Sequence, residues 1–278
     1  MAGDDGLYGP GSVTWRVNVE PIMWVAGLRA LYLQSLHPRV MRGTYQNSAL
    51  FDRKKAWARF LRTAQYVTIR TYGTGEEADT AGRRVRAIHA RLRGIDPDTG
   101  QTFRLDEPAG LMWVHCAEIG SYAHIARRSG VITAQEADRY VDENRVAAGL
   151  VGLPTDRVPG SMAELDAYFC GQRDRLAATP EAIRGLWSSF NPPVPRRLTG
   201  LRLVVPTLNI LALATLPGWA RRKLGIPVIP GADTVTTANL RAVRAAGRLT
   251  VGDLDTAIQQ TRDNAHRMAD GTFVSALA

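Results

Sequence analysis

Apolar residues recur along this chain mostly at the three- and four-residue spacing of helices, and rarely in the alternation of strands. Between positions 76 and 93, Ala78, Ala81, Val85, Ile88, His89 and Leu92 fall on one helix face. Thr74 stands where an N-cap accepts the first free amides, Glu76 and Glu77 suit the positive helix start, and Gly94 marks the stop. Residues 21–36 are nearly all apolar and open with Pro21, a residue suited to a first helical turn. A basic amphipathic helix is predicted over 53–70. Asp106 or Glu107 with Pro108 opens another, through about Arg128, whose face carries Leu111, Val114, His115, Glu118 and Tyr122. Thr133 with Glu136 reads as a capping box for a helix to about Val151. Further helices are predicted over 161–177, 180–189, 198–216, 236–247 and 250–268. The loops are short and rich in Pro and Gly, notably 94–106, 152–160 and 191–197. No internal repeat or linker is visible. The chain reads as all-α: one helical bundle over residues 1–278, globin-like in helix content, with residues 1–12 a flexible N-terminus.

Residues 203–217 are uncharged and very apolar, and Arg221, Arg222 and Lys223 follow. Fifteen residues broken by Pro206 are too short to span a bilayer, so a buried helix is predicted there, with an interfacial membrane anchor as the competing reading. Apolar residues at 45% and charged residues at 22% exclude a disordered chain or a fibre. The acidic start lacks the basic region of a signal peptide, and the two cysteines, Cys116 and Cys170, make no disulfide framework. The location expected is cytoplasmic, with membrane association as an option. The formal charge is +9. Residues 42–93 hold twelve basic side chains against four acids, Asp52, Glu76, Glu77 and Asp79, a local excess of +8. Such a stretch suits nucleic acid, an anionic membrane or an anionic cofactor, or is simply a solvated helix face.

Few motifs carry chemistry. Residues 67–78 imitate a strand, GxGxxA and helix, the outline of a dinucleotide fingerprint, with Asp96 about twenty residues on. No repeated strand–helix alternation follows, and Glu76 and Glu77 would repel a pyrophosphate. None of the five histidines forms HxxxH or HExxH, and no Glu-x-x-His exists, which disfavours a di-iron bundle. There is no GxSxG hydrolase elbow. His37, before Pro38, reads as a helix-end residue bonding spare carbonyls, His124 as surface or half-buried, and His266 as surface. His89 and His115 each lie among apolar residues on a helix face. Each is either a satisfied core histidine or a ligand, and a lone imidazole projecting into an apolar bundle is how a b-type haem is held. The arginines around His89 would then meet the haem propionates.

Several short segments resemble, in order, the oxygenase family that contains the MpaB-type oxygenases and the latex-clearing proteins, or rubber oxygenases. They are Gly9-Pro10-Gly11-Ser12 with Val13-Thr14-Trp15-Arg16, and Ala30-Leu31-Tyr32-Leu33-Gln34 with His37-Pro38. Arg59-Phe60-Leu61-Arg62-Thr63, Tyr72-Gly73-Thr74 and the run from Val85 to Gly94 through His89 follow. Leu111-Met112-Trp113-Val114-His115 and Gly152-Leu153-Pro154 complete the set. The resemblance covers residues 9 to about 175, more weakly to the end. It implies an all-helical fold with a haem pocket between helices, haem b and dioxygen.

Residue by residue, the resemblance implies that His89 is the proximal iron ligand. Arg59 and Thr63 match the arginine and threonine of the haem-side motif. Arg62 stands where the rubber oxygenases have a lysine able to close off the distal position. An arginine stays protonated and ligates no iron, so the resting iron is expected five-coordinate or water-bound. Thr44-Tyr45-Gln46-Asn47-Ser48 offers no counterpart of the glutamate proposed as a base in rubber cleavage, which counts against polyisoprene more than against haem. His115 belongs to the resemblance without a role to carry over, and stands as a haem-pocket or core residue. The function expected is a haem b-dependent oxygenase acting with dioxygen on a small hydrophobic substrate, unsaturated or terpenoid-like. Arg59, Arg62 and Thr63 are its catalytic side chains, residues 203–216 can wall its pocket, and no nucleic acid is involved. The alternative is a non-catalytic basic helical protein that binds nucleic acid or a membrane surface.

Overall fold

A computed structural model describes residues 4–52, 55–191 and 200–273. Its axis is α6 (Pro108–Ser129). From Pro108 to Ala117 this helix has no formal charge, and Trp113, Cys116, Ala117, Ile119, Ala123, Ile125 and Ala126 are buried. A helix apolar nearly all round is one enclosed on nearly all sides. The face predicted to be its core side, with Leu111, Val114, Glu118 and Tyr122, is the less buried one, although His115 on it is buried. α2 (Met23–Ser35), whose Val25, Ala26, Arg29, Ala30 and Leu33 are buried, packs along α6. The predicted all-α fold is observed, and the only strands among the described residues are β1 (Arg93–Ile95) and β2 (Thr102–Arg104). They form an antiparallel hairpin inside the predicted loop 94–106, with Gly94 opposite Phe103.

Local signals place several helix ends. α5 (Gly75–Arg91) opens on the Thr74–Glu77 capping box, and α7 (Ala134–Glu143) on that of Thr133 and Glu136. The single helix predicted over 133–151 breaks at Asn144. This buried side chain donates to the Tyr140 carbonyl at 2.8 Å and to the Thr14 hydroxyl at 3.0 Å, so the chain re-enters as α8 (Arg145–Leu150). α1 (Val13–Asn18) is capped by Ser12, and α3 (Pro38–Asn47) by His37, whose Nδ1 accepts the Val40 amide at 3.3 Å. His37 therefore starts a helix and does not bond carbonyls at the end of one. α4 (Ala56–Tyr72) is fixed to α1 by hydrogen bonds that include Asn18 to the Thr71 hydroxyl at 3.1 Å. The Trp15 indole donates to the Thr71 carbonyl and the Tyr72 hydroxyl to the Trp15 carbonyl, each at 2.7 Å.

The remaining helices wrap this centre: α9 (Met162–Gln172), α10 (Pro180–Ser189), α11 (Leu201–Ala214), α12 (Gly218–Lys223), α13 (Ala232–Val251) and α14 (Leu254–Ala269). α11 lays Asn209, Leu211 and Ala212 inward and packs on α2, while Val204 and Ile210 are exposed at 48% and 59%. The apolar run is thus a half-buried helix with a bare outer face. No helix among the described residues is long and apolar enough to cross a membrane. Residues 192–197 of the predicted loop 191–197 lie outside the described residues.

Residues 4–12, expected as a loose terminus, are tied down. The Gly75 amide donates to Asp4 at 2.9 Å, and Arg262 pairs with Asp5 at 3.0 Å. Gly6, at φ +68°, lies so close to Gly73 that a Cβ there would meet its carbonyl oxygen at 2.1 Å.

Candidate functional site

Three helices carry the residues singled out by sequence: α4 with Arg59, Arg62 and Thr63, α5 with His89, and α6 with His115. On α4 the positions 59, 63, 66 and 70 share one face, because they step by four, three and four. Arg59, Thr63, Tyr66 and Arg70 thus form a polar ladder down that face, about 16 Å long at the helical rise. Arg59 donates to the Thr63 hydroxyl, which donates back to the Arg59 carbonyl at 3.3 Å. These two side chains, one helical turn apart, are thus joined to each other on the surface of α4. Arg62 is exposed and points elsewhere, although its charge, after burial, helps to hold the Arg59 guanidinium below its ordinary pKa.

His89 lies in the last turn of α5, where that helix leaves the body of the protein. Ala78 and Gly82 are buried, Val85 and Arg86 are half-buried, and Ile88 is 56% exposed. The imidazole is half-buried, less enclosed than its apolar neighbours in sequence suggest. Burial lowers its pKa first, and the positive charge of Arg59 lowers it further, against a weaker opposite pull from Asp106. The shallow end of the α4 ladder and His89 are therefore close enough to feel one another, and the imidazole stays neutral.

At the deep end, Arg70 and Glu118 form a buried ion pair. The Arg70 guanidinium also lies 5.7 Å from the centre of the Tyr66 ring, whose buried hydroxyl has no hydrogen-bond partner within range among the described residues. His115 is only 6% exposed and has no hydrogen bond to a described residue. Burial drives its pKa down to about 3, with Arg70 pushing the same way. A neutral imidazole thus lies within electrostatic reach of the same buried guanidinium that stands over the Tyr66 ring. Tyr66 and Arg70 were not singled out from sequence. The signal was present in the α4 spacing from Arg59, but Arg70 reveals its role only once Glu118 is seen opposite.

An apolar cluster flanks the shallow end. Trp24 of α2 and Trp57 of α4 each lie 5.8 Å from Phe60, and Trp24 is 46% exposed. Gln46, in the segment without the family glutamate, braces the hairpin: its amide donates to the Ile95 carbonyl at 2.7 Å and accepts the Ile95 amide at 2.8 Å. Asn47 donates to the Arg93 carbonyl at 2.8 Å. This segment fixes the turn between α5 and α6 and so the angle between the two histidine-bearing helices. Among the described residues, no three His, Cys, Asp or Glu side chains converge as a metal-binding group.

Residues 15–250 match the family model described as "ER-bound oxygenase mpaB/B'/Rubber oxygenase, catalytic domain", which takes in α1 to α13 almost entirely. No curated protein and no solved structure matches the chain.

Proposed function

We propose, from the premise that the chain belongs to the catalytic-domain family of mpaB and the rubber oxygenases, that it is a haem b-dependent oxygenase. Its substrate would be a small hydrophobic molecule, unsaturated or terpenoid-like, and its oxidant dioxygen. The observation that carries this reading is His89, a neutral and half-buried imidazole held within electrostatic reach of the Arg59–Thr63 pair. The donor set suits such a group. A haem brings its own equatorial nitrogens and asks the protein for an axial imidazole, which a site without a cluster of three ligands can provide. It also brings propionates, and the exposed arginines of α4 and α5 are the cations that would meet them.

When bound, the haem supplies one-electron and dioxygen chemistry. The protein's part is performed by its side chains. His89 stays neutral and keeps a lone pair available. Arg59, already hydrogen-bonded to Thr63, presents a fixed positive charge where negative charge develops on an oxygen. Arg62 is proposed to add to this field from the exposed side of α4, and His115 to line the deep end of the pocket. Trp24, Trp57 and Phe60 offer an apolar wall that excludes water from one side.

Titrating purified protein with haemin and recording its absorbance tests the reading. A Soret band that saturates at one haem per chain is expected. A protein that stays colourless and takes up no haemin would overturn it. The competing reading, a non-catalytic basic protein for nucleic acid or a membrane surface, draws on exposed arginines such as Arg62, Arg84, Arg91 and Arg93. It predicts binding that falls steeply with salt.

A further inference from the structure

Arg29 of α2 is a buried cation without an anion. It is 6% exposed, and among the described residues its guanidinium donates to two neutral acceptors. One is the Thr215 carbonyl at 3.2 Å, the other the Ser121 hydroxyl at 2.7 Å. Ser121 already donates to the Ala117 carbonyl at 2.6 Å, so it brings no charge of its own. No described carboxylate forms an ion pair with Arg29; Asp166, the acid whose charge reaches it, is exposed on α9. The undescribed segments cannot supply one from their side chains, because residues 1–3, 53–54, 192–199 and 274–278 contain neither Asp nor Glu. A guanidinium does not give up its proton inside proteins, and an unpaired buried charge is among the costliest things a fold can hold.

A second orphan stands beside it. His124 lies three residues after Ser121 on α6, one turn along the same face. Its Nε2 is sealed from solvent and has no hydrogen-bond partner among the described residues. Burial first, and then the charges of Arg29, Arg128 and Arg127, keep this imidazole from protonating. Arg128 is partly answered by Asp233 at 2.9 Å, and Arg29 is not. Arg29, with spare guanidinium N–H groups and an unanswered unit of positive charge, is bonded to Ser121, and an imidazole nitrogen able to carry hydrogen stands one helical turn further along α6. A water molecule would satisfy the donors but leave the charge. An acceptor bearing one negative charge satisfies both.

We infer that a small monovalent anion of halide type binds between Arg29 and His124, where it joins α2, α6 and the end of α11. The site lies nine residues along α6 from His115 and does not depend on haem.

Bromide is the probe. Crystals of the full chain grown in bromide, measured at the bromine absorption edge, should show an anomalous peak within hydrogen-bond distance of the Arg29 guanidinium and His124 Nε2. In solution, at constant ionic strength, the melting temperature should rise as bromide replaces a large, excluded anion. Arg29→Met should remove that rise. Should Arg29→Met fail to fold, His124→Phe replaces it and should weaken the rise at least tenfold in bromide concentration. No anomalous peak at this place, or melting of the parent and either variant that follows bromide equally, would overturn the inference.

Discussion

His115 offers the cleanest test of what burial does to one side chain. Its pKa is about 3 in the folded chain and near 6.5 unfolded, so below pH 6.5 the unfolded state takes up the proton and the folded state does not. Its share of stability is complete above pH 6.5 and is lost as pH falls from there towards 3. At pH 5 that loss is about 2 kcal/mol by linkage. Urea unfolding of the parent and His115→Leu at pH 7 and pH 5 should show the variant losing less on acidification. Parallel losses would mean that His115 is solvated. His89→Ala should abolish haem retention while the apoprotein still melts cooperatively, because truncating a half-buried side chain costs less than the roughly 2–5 kcal/mol of a core truncation. An unchanged Soret band in that variant would place the ligand elsewhere. Arg59→Ala should weaken haemin binding more than Arg84→Ala, an exposed arginine of α5 carrying the same charge. Equal effects, read from haemin titrations, would reduce the basic stretch to a diffuse field.

At the scale of elements, close helix packing is written into glycines. A Cβ on Gly82 of α5 would stand 2.9 Å from the Leu150 carbonyl oxygen and 3.1 Å from the Leu150 Cβ, so α5 can approach α8 only without a side chain there. Gly82→Ala should destabilise by roughly 1–3 kcal/mol, the usual cost of overpacking. Gly171→Ala, near the end of α9 with open space around it, should stabilise by roughly 0.5–1 kcal/mol through helix propensity. Thermal melting that moved both variants in one direction would contradict this packing. The same contrast explains what could be read from sequence. The N-cap at Thr74, the capping box at Thr133 and Glu136 and the Pro108 start of α6 are local, and they stand where the residues put them. The break at Asn144 and the hairpin were not legible, because they rest on Thr14, Gln46 and Asn47, partners distant in sequence. The candidate site was half legible: the turn from Arg59 to Thr63 follows from spacing, whereas the burial of Arg70 and its pairing with Glu118 need the third dimension.

Across the whole molecule the concentrated positive charge of residues 42–93 is less of a patch than composition suggests. Arg42 is buried and bonded to Asp96 at 2.6 Å and also to Asp98, while Arg70 is answered by Glu118, and all three acids lie outside that stretch. Removing one such partner strands its mate. Glu118→Ala should cost roughly 3–5 kcal/mol, and Arg70→Met together with Glu118→Leu much less. Denaturant midpoints that fell further in the double variant would show that the pair itself carries the stability.

The family match ends at residue 250, yet the helix beyond it packs on two of the helices that carry site residues. α14 packs along α4 and α5, buries Ala265 against Trp15 and Tyr72, and sets His266 Nδ1 2.8 Å from Glu77, the carboxylate that closes the cap of His89's own helix. Gly252, at φ +72°, is its hinge to α13. Detachment of this arm needs no global unfolding, since it exposes one edge of the bundle and leaves the α2–α6 centre intact. Backbone amides of α14, α4 and α5 should therefore exchange with deuterium as one early cooperative unit, well before those of α2 and α6. How long the helix of His89 stays in place would then be set by how often its C-terminal arm lets go.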